Sequence, residues 1–233
     1  MSDAAMLAAM RFADSFLPVG TYTASYGVEQ YLNEGRIEAV GELGELIEAY
    51  LRRIVGPAET VALANAHRAA ATDDLEGILA ADERLHAATL PAEFRRSSTK
   101  AGNTLLELLE ETDPALLADG AAAEYVAALA EDNSPGGYPV VLGVATQRSG
   151  LDRRAACLVG AYSVVTELLG AAQRLGRFGH TAIQAQLAEL LSVVESVCAA
   201  YEGADLESLG SFAPLAETMG MAHERADRRL FMS

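Results

Sequence analysis

The chain has 233 residues, 51% of them apolar, with 33 acidic side chains against 17 basic ones and a formal charge of −16. That length suits one large domain or two small ones, and the apolar half, dominated by Ala and lacking Trp, supplies a core of closely packed helices. The charge excludes nucleic acid as a default partner and disfavours anionic membrane surfaces, because both require clustered Lys and Arg.

A first helix is predicted near 3–13, and it lacks the basic start of a signal peptide. Asp14-Ser-Phe-Leu-Pro18-Val-Gly20-Thr-Tyr22-Thr-Ala-Ser25-Tyr-Gly27-Val-Glu29 follows. Pro18 fixes its own φ and Gly20 can take a positive one, so a shaped loop leads into a second helix near 24–33. In a chain of plain amphipathic helices, such a loop is where function is expected. Val40, Leu43, Leu46, Ile47, Tyr50, Leu51 and Ile54 recur at helical spacing over 39–54. Gly56-Pro57 then ends that helix and starts another over 57–71, with Pro57 in the first turn.

Further helices are expected near 73–86, 91–110, 113–131 and 138–148, divided by Thr72-Asp-Asp, Asp113-Pro and Asn133-Ser-Pro-Gly-Gly137. Tyr138-Pro-Val-Val-Leu142 is compatible with a strand, but one such run cannot make a sheet. Leu151, Leu158, Val159, Tyr162, Val165 and Leu169 stripe a helix over 151–174. Residues 155–172 within it are the one membrane-span candidate, but Glu167 at mid-span makes a buried central helix the better reading. Ile183, Leu187, Leu190, Leu191, Val194, Cys198 and Tyr201 mark a helix over 180–201, and short helical turns follow between 205 and 227. Cys157 and Cys198 are too few for a disulfide framework and read as core thiols in a reducing, cytoplasmic compartment. The expectation is one all-α domain over 1–233, a bundle of about ten helices, with a flexible tail over about 221–233.

Catalytic and metal motifs are missing from the sequence. It has no phosphate-cradling P-loop and no nucleophile elbow. His67, His86, His180 and His223 form no His-x-x-x-His pair, and Cys-x-x-Cys is absent, so no dedicated metal site is expected. Lys100 is the only lysine. Two arginine-bearing places stand out against the acidic background: Arg174-Leu-Gly-Arg-Phe-Gly179 at a helix end, and His223-Glu224-Arg-Ala-Asp-Arg-Arg229-Leu230-Phe231-Met-Ser at the end of the chain. The second offers an apolar anchor beside guanidinium groups, a good interface composition. The residues alone leave three readings open: a docking scaffold, a generic helical adaptor, or a helical hydrolase with an acidic cleft.

Taken together, the segment from Asp14 to Glu29, Arg95 with Gly102, Tyr138-Pro-Val-Val-Leu-Gly143, the Arg174 motif and the Arg229-Leu-Phe-Met-Ser end resemble the urease accessory protein UreF family, in family order along nearly the whole chain. The chain departs from the common pattern at Thr21, Tyr26 and Met232. The resemblance implies a dimeric, all-α, non-enzymatic scaffold with no cofactor of its own. It implies docking between the nickel-carrying GTPase UreG, which binds the GTP, and the partner UreD (also called UreH), which bridges to apo-urease; GTP hydrolysis is then coupled to nickel insertion. By the same resemblance, Glu29 and Arg174 lie on the GTPase-facing surface. Pro18, Gly20, Tyr22 and Ser25 frame the loop, and His223, Glu224, Arg229, Leu230 and Phe231 belong to the end that meets UreD.

Overall fold

The computed structural model describes residues 2–19 and 26–224. Helices make the whole architecture, and no strand forms among the described residues. Their order is α1 (Asp3–Ala13), α2 (Val28–Asn33), α3 (Val40–Tyr50), a π-helical segment (Leu51–Thr60), α4 (Val61–Ala71), α5 (Leu75–Ala88) and α6 (Ala92–Thr112). Then come α7 (Gly120–Ala130), α8 (Tyr138–Arg148), α9 (Arg153–Arg174), α10 (His180–Tyr201), a short 3-10 turn (Leu206–Ser208) and α11 (Pro214–Glu224). The all-α expectation holds. Gly20, Tyr22, Ser25, Arg229, Leu230 and Phe231 lie outside the described residues.

The centre is α4, which packs against α8, α5 and α9. Residues 61–67 of α4 are buried without a break, and the two polar members have partners: the Asn65 amide donates to the Val61 and Ala204 carbonyls, and the His67 ring meets the Leu151 carbonyl. The α3 stripe predicted from periodicity faces this core: Leu43, Ile47, Tyr50 and Leu51 are buried. The α10 stripe holds at Ile183, Leu190, Val194 and Cys198 but fails at Leu191, which is exposed. Cys157 and Cys198 are free and buried, and burial pushes their thiols up to about 12 and about 11.

Three expectations are corrected. First, Gly56-Pro57 does not end a helix. The chain runs helical from Val40 to Ala71, widening to π geometry around Pro57. Proline has no amide to give the carbonyl one turn earlier, and the Arg53 carbonyl accepts from the Phe212 amide instead, at 3.4 Å. The Pro57 carbonyl accepts from the Gly210 amide at 3.1 Å, so the loop before α11 is stitched to this segment. Second, α9 is not the one helix long and apolar enough to cross a bilayer; α10 is too. In this fold α9 packs against α1, α2, α3, α4, α8 and α10. Third, residues 221–224 are not tail: they complete α11, and His223 is 1% exposed.

A buried carboxylate fixes the loop before α8. Asp82, on α5, is fully buried and accepts from the Tyr125 and Ser134 hydroxyls and from the Gly136 and Gly137 amides, at 2.6–2.8 Å. Four donors offset the cost of burying the charge. They also hold the glycine pair so that α8 begins at Tyr138, with Pro139 in its first turn.

Candidate functional site

The turn into α2 is left-handed at two successive residues, Tyr26 (φ 46°) and Gly27 (φ 81°). Glycine takes such a φ freely, whereas tyrosine needs outside support. Two contacts supply it. The Tyr50 hydroxyl donates to the Tyr26 carbonyl at 2.6 Å, and the Tyr26 ring stacks obliquely on Phe94 at 5.2 Å between centroids. The six-residue α2 then buries Val28, Glu29, Tyr31 and Leu32.

From the other end of the chain, α11 crosses this turn. A side chain at Gly220 would meet the Phe94 ring at 2.7 Å, so only glycine lets the helix pass. One turn later His223 enters between α2 and α6. Its Nε2 is 3.1 Å from the Glu29 Oε2, and its Nδ1 is 3.2 Å from both carboxylate oxygens of Glu93. Glu29 and Glu93 are 3% and 4% exposed. Each ring nitrogen thus lies within hydrogen-bond distance of a different carboxylate. The next residue adds a second fastening: the Glu224 carboxylate accepts from the Glu93 amide at 2.6 Å, in the first turn of α6, where a negative charge is favourable. The two ring nitrogens meet carboxylates from two different helices, so this constellation is a hydrogen-bonded clamp and does not converge on one metal ion. No cluster of His, Cys, Asp and Glu among the described residues does so.

Two neighbouring cavities share Tyr26, Glu59 and Pro139 in their walls. One extends between the π segment, α8 and α9 to Tyr138, Ser163 and Glu167; the other reaches Phe94, Ser98 and Glu217. Burial pushes the Glu59 carboxyl up to about 7. Burial first, and then the charges of Glu59 and Glu167, raise the Tyr26 phenol well above its usual range.

The structure thus unites Glu29, His223 and Glu224, all singled out from the sequence, with Glu93, which was not. Glu29 was expected on a docking surface; its carboxylate is instead buried against His223. Pro18 is exposed, next to buried Val19. Arg174 is half-buried in the last turn of α9, where a cation suits the helix dipole, and α2 packs against that helix. Glu59 was also missed, because an acid within a proline-containing helical run gives no local signal of burial. For Glu93 a weak signal existed: an acid two residues after Pro91, at a helix start, in a chain with an isolated His223-Glu224 pair.

A sequence profile of the UreF family matches residues 37–191. The urease accessory protein UreF of Trichodesmium erythraeum (strain IMS101) is 32% identical over 229 residues, covering 97% of this chain and 95% of its own. The protein of the same name from Yersinia enterocolitica serotype O:8 is 29% identical over 232 residues, 99% of each chain, and that of Yersinia pestis (strain Pestoides F) matches equally. The profile match leaves Glu29 and His223 outside its span, whereas these relatives match along nearly the whole chain.

Proposed function

The chain belongs to the UreF family of urease accessory proteins, and from that premise we propose that it is the scaffold on which a nickel-carrying GTPase of the UreG type meets a UreD/UreH-type partner. In this reading the assembled complex couples GTP hydrolysis to insertion of nickel into apo-urease in the cytoplasm, and the scaffold acts as a homodimer. Urease maturation is the family's role, and the docking arrangement is our inference.

The observation that carries it is the joining of α2 to α11 through His223. Glu29 at the start of α2 and His223 near the end of α11 are held at one place, and α9, which ends in Arg174, packs on the same α2. That three parts of the sequence meet around α2 supports reading them as elements of one docking region. Glu29 contributes from inside, by holding α11, and Arg174 adds a cation whose role in this reading is to set register and partner choice. Exposed apolar side chains support contacts with other proteins. Leu7 on α1 and Phe16 just after it are 65% and 90% exposed, and Phe212 before α11 and Leu215 in its first turn are 75% and 56% exposed.

Nickel is cargo in this scheme. The cavities that share Glu59 and Tyr26 support a path for it, since a divalent cation favours the ionised form of a carboxyl that burial has raised. A raised carboxyl in a cavity is also what a helical hydrolase requires, but membership of an accessory-protein family decides against that reading. The test is capture of the purified GTPase and UreD-type partner by the folded chain, with and without nickel and GTP. A folded chain that binds neither partner overturns the proposal.

A further inference from the structure

Although α10 is long and apolar, much of it faces outward. In its apolar stretch 33% of the residues are buried, against 56% for α9. One side of α10 packs on α9, the π segment and α3. The other side presents Thr181, Ala185, Ala188, Ser192, Glu195 and Ala199, all exposed, at alternating spacings of four and three residues. That spacing keeps them on one seam along the helix. Beside the seam Leu191 is 47% exposed, a large apolar side chain left in water.

The charge along this face is unusual for a chain with 33 acidic side chains. No acid stands between Glu167 and Glu189. That run crosses the turn from α9 into α10, where Arg177 and His180 are exposed, and continues through the first half of the seam. The far half carries Glu189 and Glu195, both exposed. The face therefore begins with a cation, is apolar or uncharged in the middle and ends in acid. Two copies of a chain with a formal charge of −16 repel each other at a distance. They can close where acid is locally scarce and where the remaining acid meets a cation. A second α10 laid antiparallel on the first satisfies both conditions. With the twofold axis at Ala188, Ala185 of each copy lies level with Leu191 of the other, and Thr181 lies level with Glu195. Glu195 of each copy then comes beside the Arg177 turn of the other, the reciprocal matching that twofold pairing demands. Short side chains on the seam let the helix axes approach closely, and a centre depleted in charge has the composition of an interface core.

We propose that two copies of this chain pair antiparallel through α10, about Ala188, with the Arg177 turn of each copy facing Glu195 of the other. This rests on the homodimer of the proposed function and gives that dimer its interface. The apolar middle of the face supplies the attraction, and the end charges fix direction and register.

The test uses the full-length chain. Sedimentation measures self-association, and Ala188→Cys is treated with copper phenanthroline as a mild oxidant; the native cysteines are buried. Asn103→Cys, exposed on α6, reports the collisional background. Ala188→Cys should give a disulfide-linked dimer in far higher yield than Asn103→Cys. Arg177→Glu and Glu195→Arg should each weaken the dimer several-fold, the scale of an exposed ion pair made twice. The double variant Arg177→Glu/Glu195→Arg should regain the wild-type affinity, because the pair is restored with its signs exchanged. A dimer in which Ala188→Cys crosslinks no better than Asn103→Cys, or one indifferent to both single charge reversals, overturns the α10 interface and leaves the homodimer standing. A folded wild-type chain that stays monomeric at micromolar concentrations overturns both.

Discussion

His223 stands 194 residues beyond Glu29 in the chain, and its Nε2 lies 3.1 Å from the Glu29 Oε2. This one contact joins the two ends of the fold, and its energetic sign depends on all three members of the cluster. Removing the ring takes a buried polar contact from each of two carboxylates. His223→Ala is therefore expected to destabilise the protein by about 3–5 kcal/mol, the range for breaking a buried pair from one side. Glu29→Gln, which keeps the shape and one acceptor, should cost less. Urea unfolding of the three proteins at neutral pH checks the order.

Asp82 is the second buried charge whose loss is expected to matter. Asp82→Ala strands two hydroxyls and two amides around an empty site, and each unsatisfied buried donor costs about 1–3 kcal/mol. The loop that starts α8 should loosen with it. A thermal melt should show a fall in Tm well beyond that of an exposed acid such as Glu110→Ala, and hydrogen exchange at Gly136 and Gly137 should quicken.

Glu59 gives a pH dependence of known sign. Burial disfavours the charge and raises its carboxyl from the ordinary 4.5 to about 7. Between those limits the folded chain binds more protons than the unfolded one, so this group's contribution falls as pH rises through that window and is constant above it. Glu59→Gln removes the slope. The variant should gain roughly 2 kcal/mol on the wild type between pH 5 and pH 8, a figure set by the linkage of pKa to stability. Denaturant midpoints at the two pH values measure it.

Pro57 diverts the Arg53 carbonyl to the Phe212 amide. Pro57→Ala returns an amide to the helix, which then competes for that carbonyl. Net stability should change by no more than about 1 kcal/mol, the worth of one exchanged hydrogen bond. Exchange at Phe212 should nevertheless rise, because its acceptor is now contested.

Most of the helical layout was legible in the sequence, since spacing and punctuation report directly on amphipathic faces. The α3 stripe and the start of α8 after Gly136-Gly137 show this. The break assigned to Gly56-Pro57 failed for a non-local reason: the carbonyl that proline orphans is rescued by Phe212, far along the chain, so the helix continues. At the site, Glu29, His223 and Glu224 were legible through the family pattern. Their mutual contact was not, because burial of a carboxylate depends on which distant side chain reaches it. Glu93 and Asp82 gave no clear signal in the sequence, because the groups that meet their carboxylates come from distant segments. Leu191 was placed inward by periodicity, and it is exposed because no described helix covers that side of α10.

The docking of the GTPase is tested most directly by titrating the purified UreG-type protein, loaded with nickel and GTP, onto a preformed complex of this chain with its UreD-type partner. The wild-type chain should form a single ternary complex. Arg174→Ala should keep the UreD-type partner and an intact fold while binding the GTPase at least about tenfold more weakly, the scale of an interface hot spot. A folded wild-type chain that recruits no GTPase, or an Arg174→Ala chain that recruits it undiminished, contradicts the account.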